Sequence, residues 1–177
     1  MNVHEAICLR REITNFDEKK ISAELIEELL DAAYLSPSGN NLPSREFILV
    51  SDREALDHLS KATPYVSWLN RAQAAIVVTG LPDVSKYWIQ DASIACGYIW
   101  LRAVELGIGL AFGAIHHTQD PQESDKRESY VRSALHIPSD RQVLAILGLG
   151  YPKENPASKD MYPREKVIFY HSFGETE

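Results

Sequence analysis

The chain has 177 residues, 45% hydrophobic and 24% charged, an ordinary globular composition that excludes collagen-like, disordered and low-complexity proteins. Its length predicts one domain over residues 1–177, with a core that needs no disulfide or structural metal. The formal net charge of −7 leaves no broad positive field, so we predict that the chain binds neither nucleic acid nor an anionic membrane.

The two cysteines and the apolar segments indicate the cellular compartment. Cys8 and Cys96 have apolar sequence neighbours and no CxxC spacing, which predicts free thiols and a reducing environment. The N-terminal segment lacks a basic region ahead of a long apolar run, so we do not interpret it as a signal peptide. The most apolar stretch, residues 92–106, contains Arg102 and Glu105 and is shorter than the roughly 20 residues of a membrane span. We therefore expect a cytoplasmic protein.

Three segments have the periodicity of helices. Residues 3–10 form the first, which ends in a basic pair. Ser22 is a candidate cap for the second, which has acidic residues in its early turns and an apolar stripe. Residues 87–106 are apolar almost all round and end at Gly107. A helix that is apolar on every face must be buried on every face, which here predicts packing against a second subunit.

Four short apolar runs predict buried strands, with helical patterns between most of them, so strands and helices alternate. The runs lie at residues 47–50, 75–79, 110–115 and 143–149. The polar segment 116–129 predicts a mobile loop. The Pro-rich tail after Tyr151 predicts an extended chain, and its last apolar run, residues 167–170, is suited to add a strand to the sheet of a neighbouring subunit.

Two polar features are candidate binding elements. Arg10 and Arg11 end the first helix, where cations complement the helix dipole or bind an anion. The turn Pro37–Asn41 offers backbone N–H groups, a hydroxyl and two amides, which suit an anion or a planar polar heterocycle. An irregular connection between a helix and a strand is the alternative interpretation of that turn.

Other motifs point away from several kinds of chemistry. The glycines at 107, 109 and 113 follow a helix, whereas a dinucleotide fingerprint opens one after a strand. Gly148 and Gly150 are typical of turn chemistry. His116 and His117, with two nearby acids, are more typical of solvated loop residues than of a metal site, so we predict none. GxSxG, Walker A and HExxH motifs are missing from the sequence.

The remaining inventory is a set of cations and hydrogen-bonding turns without an evident nucleophile or acid–base pair. A bound cofactor that carries the chemistry needs only binding, orientation and electrostatics from the protein. The sequence therefore favours a cofactor-dependent protein.

Four stretches in this order resemble the FMN-dependent nitroreductase family over nearly the full length. Residues 10–16 (RREITNF) resemble the family's R-R-S-I/V-R-x-F/Y, and the turn 36–42 followed by Phe47 resembles A-P-S-x-x-N-x-Q-P-W-x-F. The remaining matches are the central helix and its L-G-I-G end at residues 91–109, the strand and turn at residues 146–152, and Lys159 with Pro163.

The resemblance implies an α+β, nitroreductase-like fold with a central, mostly antiparallel sheet flanked by helices. It also implies an intertwined homodimer whose C-terminal extension pairs on the partner, with two FMN molecules at the subunit interface. By the same resemblance, Arg10 and Lys159 contact the FMN phosphate and Arg11 adds charge or backbone contacts. The turn lines the isoalloxazine of the partner's site, and small residues at 113 and 114 approach its reactive edge. The implied cofactor-binding residues are Arg10, Arg11, Thr14, Pro37, Ser38, Gly39, Asn41, Gly113, Ala114, Lys159 and Arg164.

The chain departs from the family pattern at several of these positions. Thr14 stands where the family usually has Arg or Lys, Glu12 replaces Ser, and residues 43–45 read Pro-Ser-Arg for Q-P-W. Met161 stands where a second phosphate-binding cation is expected, and Arg164 is the candidate replacement. Because reduced flavin is anionic, we predict weaker stabilisation of the reduced cofactor unless Arg11 or Arg45 supplies the missing charge.

The resulting hypothesis is an FMN-dependent oxidoreductase that takes hydride from NADH or NADPH and passes electrons to a nitroaromatic, quinone or enone in a ping-pong cycle. The flavin N5 is the reactive atom, so no side chain is assigned a catalytic role. Two alternatives remain: a flavin-binding sensor or carrier with little turnover, and a structural dimer without cofactor.

Overall fold

Five α-helices and four β-strands lie within residues 1–175, the part of the chain that the computed structural model describes. Short 3₁₀ helices occur at Gly39–Asn41, Pro64–Asn70 and Arg164–Lys166. In chain order the elements are α1 Val3–Leu9, α2 Ala23–Tyr34, β1 Arg45–Val50, α3 Arg53–Leu59, β2 Ala74–Gly80, α4 Trp88–Glu105, β3 Gly109–Ala114, α5 Pro121–Leu135 and β4 Gln142–Gly150.

The four strands form one sheet in the order β1-β2-β4-β3, and every neighbouring pair is antiparallel. The four predicted strands are confirmed, with ends that shift by one or two residues. The expected α+β class with an antiparallel sheet flanked by helices is also confirmed. β1 and β3 form the two opposite edges of the sheet.

Helices and connecting segments cover both faces of the sheet. On β2, Ile76 and Val78 pack with residues of α2 and α4, whereas Ala75 and Val77 pack with residues of α3, α5 and the segment Pro64–Asn70. This alternation follows from the two-residue period of a strand. Every residue of β2 is buried. The sequence of β2 therefore reads as a continuous apolar run instead of an alternating one.

Side-chain caps begin the first two helices. Asn2 and Glu5 form a capping box at α1, in which each side chain accepts the other residue's backbone N–H at 2.9 Å. Ser22 caps α2 as predicted, accepting from the Leu25 N–H at 3.5 Å. α4 ends before Gly107, whose φ of 71° is the left-handed conformation that favours glycine at a helix end.

The prediction of a mobile loop over residues 116–129 was wrong beyond Asp120. Asp120 caps a helix by accepting from the Glu123 N–H at 3.0 Å, and Pro121 occupies its first turn. α5 buries Ser124 and Glu128 as well as Val131. Because so little of its buried stripe is apolar, periodicity did not identify the helix.

The long helix α4 is not buried on every face of a single chain, so its predicted packing against a second subunit stays a prediction. Ile94 is 43% exposed and Tyr98 is 46% exposed, on a face that also includes Ser93 and Gly97. The opposite side packs into the core through Ala92, Ala95, Cys96 and Ile99. Apolar side chains therefore remain uncovered on this helix.

The tail after Tyr151 makes few contacts with its own sheet. A bridge between Phe16 and Pro152 fixes its start. Residues 167–170 form no strand in the described part of the chain, where a short 3₁₀ helix, Arg164–Lys166, precedes a turn. Across residues 1–175, no helix combines the length and the apolar character needed to cross a bilayer.

The different settings of the two free cysteines predict different thiol reactivity. Burial raises the pKa of the Cys96 thiol to about 12, whereas Cys8 is exposed. At pH 8 we expect an aromatic disulfide reagent to label one thiol per native chain quickly, because thiolate is the reactive form. The second thiol should react only on unfolding. Cys8→Ser should abolish the fast phase, and two fast thiols in the native chain would contradict the assignment.

Candidate functional site

Residues 10–16 lie along the outer edge of β3. The Ile13 N–H donates to the Leu110 carbonyl at 3.0 Å, and the Glu12 carboxylate accepts from the Phe112 N–H at 3.2 Å. A Cβ on Gly109 would lie 2.8 Å from the Ile13 side chain, so only glycine admits this approach. The segment therefore covers part of the edge strand and holds the preceding arginines beside it.

Arg11 joins this segment to the C-terminal tail. Its Nη1 donates to the carbonyls of Cys8 at 2.9 Å and Arg10 at 2.8 Å, and its Nε donates to the carbonyl of Ala157 at 3.0 Å. Lys159 follows Ala157 by two residues, which limits the separation of their Cα atoms to about 7 Å. Arg10 and Lys159, which come from opposite ends of the sequence, are thereby brought to one region. We call Arg10, Arg11 and Lys159 the cation group.

Arg10 has a different environment from Arg11. Its guanidinium carbon lies over the Trp100 ring, 4.7 Å from the ring centroid. Among residues 1–175, no hydrogen bond or ion pair engages the Arg10 guanidinium or the exposed Lys159 ammonium. Both groups therefore keep their N–H donors for an anion.

Asp91 holds the polar turn that precedes β1. This carboxylate is 3% exposed and accepts from the Gly39 N–H at 2.9 Å and the Ser44 hydroxyl at 2.5 Å. It lies in the first turn of α4, where the helix dipole favours a negative charge. Asn40 and Asn41 adopt φ angles of 53° and 56°, the left-handed region that asparagine tolerates better than most residues.

The turn presents polar groups at the surface, although Ser38 and Arg45 have partners of their own. The Ser38 hydroxyl donates to the Leu42 carbonyl at 2.7 Å, and Arg45 donates to both the carbonyl and the hydroxyl of Ser36. Pro37 and Asn41 are exposed. The main chain of the turn is thus fixed from inside while its outer side remains accessible.

Two of the departures from the family pattern, Thr14 and Met161, lie in exposed positions, whereas Ser44 is buried. Thr14 is exposed and Met161 is 73% exposed. Arg164, the candidate replacement cation, is exposed and donates to the Tyr170 hydroxyl at 3.4 Å. Arg11 and Arg45 both donate to main-chain carbonyls. Their donors are thus engaged within the chain, while each guanidinium keeps its positive charge.

Gly113 packs closely against a neighbouring segment of the same chain. A Cβ there would lie 2.4 Å from the Val66 side chain, so the missing side chain makes room for the segment Pro64–Asn70. Ala114, the next residue, is exposed at the end of β3. Close approach of a ligand at this point therefore involves the outer edge of β3 and not the face that Gly113 turns toward Val66.

Within one chain, the turn and the cation group lie at opposite corners of the sheet. They flank β1 and β3, which are three strand spacings apart, or about 14 Å. Along the strand direction, the start of β1 lies level with Gln142 of β4, and Leu110 of β3 lies level with Leu149 of β4. These two positions of β4 are about 24 Å apart. A small ligand cannot bridge both groups of a single chain.

The residues considered for a metal site are engaged separately. His117 Nδ1 accepts from the Asp120 N–H at 3.0 Å, and Glu123 pairs with Arg127 at 2.7 Å. His116 instead contacts the buried Glu128 at 3.0 Å. No group of three potential ligands in the described chain is placed to hold a metal ion.

A polar cleft of about 500 Å³ lies apart from all of the predicted site residues. Its walls carry the cations Arg53, Arg71 and Lys153 together with the acids Asp17 and Glu18. This mixture of charges gives no preference for an anion or a cation. The predicted site residues instead form open surfaces at the sheet edges.

Sequence reasoning missed the supporting roles of Trp100 and Asp91. Trp100 lay within an apolar helix pattern that predicted only burial. Asp91 was noted as part of the helix motif, but its contact with a turn about 50 positions earlier has no local signal. A buried carboxylate at the start of an apolar helix was the available clue, because buried charges need partners.

Fold and site together define an α+β protein with free cations at one sheet edge and an anchored polar turn at the other. The model of the Nitroreductase family matches residues 8–75. A relative from Archaeoglobus fulgidus carries the inferred name NADH dehydrogenase/NAD(P)H nitroreductase. It is 40% identical over 160 residues, which cover 88% of this chain and 87% of that protein. The chain belongs to the nitroreductase family.

Two further relatives carry more specific names. An FMN-dependent nitroreductase from Clostridium difficile R20291 is 31% identical, with a TM-score of 0.87, and the match covers 95% of this chain and 98% of that one. The FMN reductase [NAD(P)H] of Bacillus subtilis is 25% identical over 188 residues, covering 93% of this chain and 72% of that protein. The resemblance drawn from the sequence motifs is confirmed at the level of family and fold.

Replacing Asp91 should show that it anchors the turn. Asp91→Ala leaves the Gly39 N–H and the Ser44 hydroxyl without their acceptor, which should lower the free energy of unfolding by about 2–4 kcal/mol. Asp83→Ala, which removes an exposed carboxylate that has no side-chain partner among residues 1–175, should change it by less than about 0.5 kcal/mol. Urea unfolding of the two variants measures the difference, and equal stability would show that Asp91 does not hold the turn.

Proposed function

We propose that the chain is a single FMN-binding domain, spanning residues 1–177, of a homodimeric FMN-dependent NAD(P)H oxidoreductase. Its membership of the nitroreductase family supports this proposal. The names of the Clostridium difficile and Bacillus subtilis relatives, which refer to FMN and to NAD(P)H, support it further.

The observation that carries the proposal is the pair of free cations beside β3. A phosphate removed from water needs charged donors, and guanidinium suits it because two N–H groups can bind two oxygens. Arg10 and Lys159 supply such donors, while Arg11 holds the main chain around them. These residues fit the phosphate of FMN. Thr14 contributes a hydroxyl and Arg164 a further charge to this end of the site.

Two subunits complete each site. Pro37, Ser38, Gly39 and Asn41 line the isoalloxazine in the partner's site, because the turn and the cation group of one chain lie too far apart for one small ligand. The uncovered face of α4 at Ile94 and Tyr98 suits a contact with a second copy. The open edge of β1 suits an added strand, for which the tail residues 167–170 have the composition.

When bound, FMN would supply the hydride chemistry at its N5 for a ping-pong reaction between NADH or NADPH and a nitroaromatic, quinone or enone acceptor. The chain's own residues bind and orient the cofactor, and none is assigned a proton-transfer role. Main chain at Gly113 and Ala114 borders the reactive edge. Because the thiols are free, a reducing cytoplasm is the setting that fits the protein.

A flavin-binding sensor or carrier is the second candidate function. Thr14 provides no charge, and Arg11 and Arg45 direct N–H donors to carbonyls, which limits stabilisation of the reduced, anionic cofactor. Slow NAD(P)H oxidation at full FMN occupancy would favour this function over the oxidoreductase. A third possibility, a structural dimer without cofactor, requires a protein that stays colourless after reconstitution.

Flavin binding and its dependence on Arg10 test the proposal. We expect the purified protein to be yellow, to have twice the mass of one chain in solution and to oxidise NADH or NADPH when an acceptor is added. Arg10→Gln should weaken FMN binding by about 10- to 100-fold, the range for losing a charge-assisted hydrogen bond. Titrating the apoprotein with FMN and following flavin fluorescence measures this loss.

The matched control is Arg71→Gln, which removes an exposed arginine in the separate polar cleft. This variant should bind FMN as the unmodified protein does. Equal loss in the two variants would indicate a general charge effect. A protein that binds no FMN even when it is added would refute the proposed function.

A further inference from the structure

We propose that Trp100 is a positioning residue that prepares Arg10 to bind the phosphate of FMN. This inference rests on the proposed function, and it assigns a role to a residue of the apolar helix α4 that touches no cofactor itself. The evidence is that Trp100 makes two independent contacts with the Arg10-Arg11 pair, one through its ring and one through its indole N–H.

The first contact fixes the Arg10 side chain. The guanidinium lies over the Trp100 ring, 4.7 Å from its centroid, which is within the range of a cation–π interaction. Among residues 1–175 the guanidinium N–H groups donate to no acceptor, so this contact leaves them free to bind an anion. A long, mobile side chain is thereby held without consuming the donors that a phosphate needs.

The second contact fixes the main chain. The Trp100 Nε1–H donates to the Arg11 carbonyl at 3.2 Å. Arg11 in turn donates from its side chain to the Arg10 carbonyl at 2.8 Å. The main-chain carbonyls of Arg10 and Arg11 therefore each accept a hydrogen bond from a defined side-chain donor.

The indole itself is well held. Trp100 is partly buried in α4, and its ring lies nearly parallel to that of Phe112 of β3, with an interplanar angle of 10° and centroids 6.2 Å apart. α4 belongs to the main core of the protein. Because the core holds Trp100, the indole restricts the Arg10 side chain before any anion binds. Arg10 therefore loses less conformational entropy when it binds an anion.

A comparison of FMN with riboflavin, which lacks the phosphate, isolates this role. Trp100→Leu removes both contacts and should weaken FMN binding about tenfold, while changing riboflavin binding less than twofold. Trp100→Phe keeps an aromatic face but loses the N–H donor, so its effect on FMN should be about threefold. Fluorescence titrations of apoprotein with each flavin give the dissociation constants.

A double-mutant cycle with Arg10→Gln shows whether Trp100 acts through Arg10. In the Arg10→Gln background, Trp100→Leu and Trp100→Phe should weaken FMN binding less than twofold. Equal weakening of FMN and riboflavin, or a loss of FMN affinity that persists in that background, would overturn the positioning role. Should Trp100→Leu fail to fold, Trp100→Phe provides the same comparison.

The unmodified protein tests the proposed function separately. It should bind FMN more tightly than riboflavin. Equal affinity for the two flavins would refute the phosphate site itself and, with it, the role of Trp100. Preferential FMN binding that is insensitive to Trp100 would refute only the inference.

Discussion

The site depends on the Arg11 guanidinium, which donates hydrogen bonds to three main-chain carbonyls. Two belong to the end of α1 and its next residue, and the third belongs to Ala157 in the tail. Arg11 therefore has a structural task, which leaves Arg10 and Lys159 as the cations free to bind. Hydrogen bonds from a charged donor stabilise by about 1.5–3 kcal/mol each, enough to hold a tail that makes few other contacts with its own sheet.

The geometry of the sheet sets the second constraint. Both faces of β2 are covered by helices and loops, so ligand surfaces are restricted to the edges and corners of the sheet. One edge carries the cations and the other the anchored turn. The proposed function therefore calls for a second copy to surround one cofactor, which connects it to the uncovered apolar face of α4.

Much of the fold was predictable because its signals are local. Periodicity located α1, α2, α4 and the four strands, and capping at Ser22 and the glycine at 107 marked two helix ends. α5 was missed because it buries Ser124 and Glu128, whose polar groups are satisfied by partners that include the Val143 N–H of β4 and that periodicity does not report. α4 has an uncovered apolar face in one chain, and composition alone does not say which surface of a second subunit covers it.

The candidate site was predictable only as a set of residue types. The motifs identified the arginines, the turn and Lys159, but the partners of each side chain depend on tertiary contacts. The resemblance gave Arg10 the phosphate and Arg11 added charge or backbone contacts, but the sequence did not show that Arg11 binds three carbonyls while Arg10 is free. A double-mutant cycle on FMN affinity tests this distinction most directly. Lys159→Gln should weaken binding about fivefold in the unmodified chain and less than twofold in Arg11→Gln, because Lys159 is then no longer held beside Arg10. The same fivefold loss in both backgrounds would contradict the account.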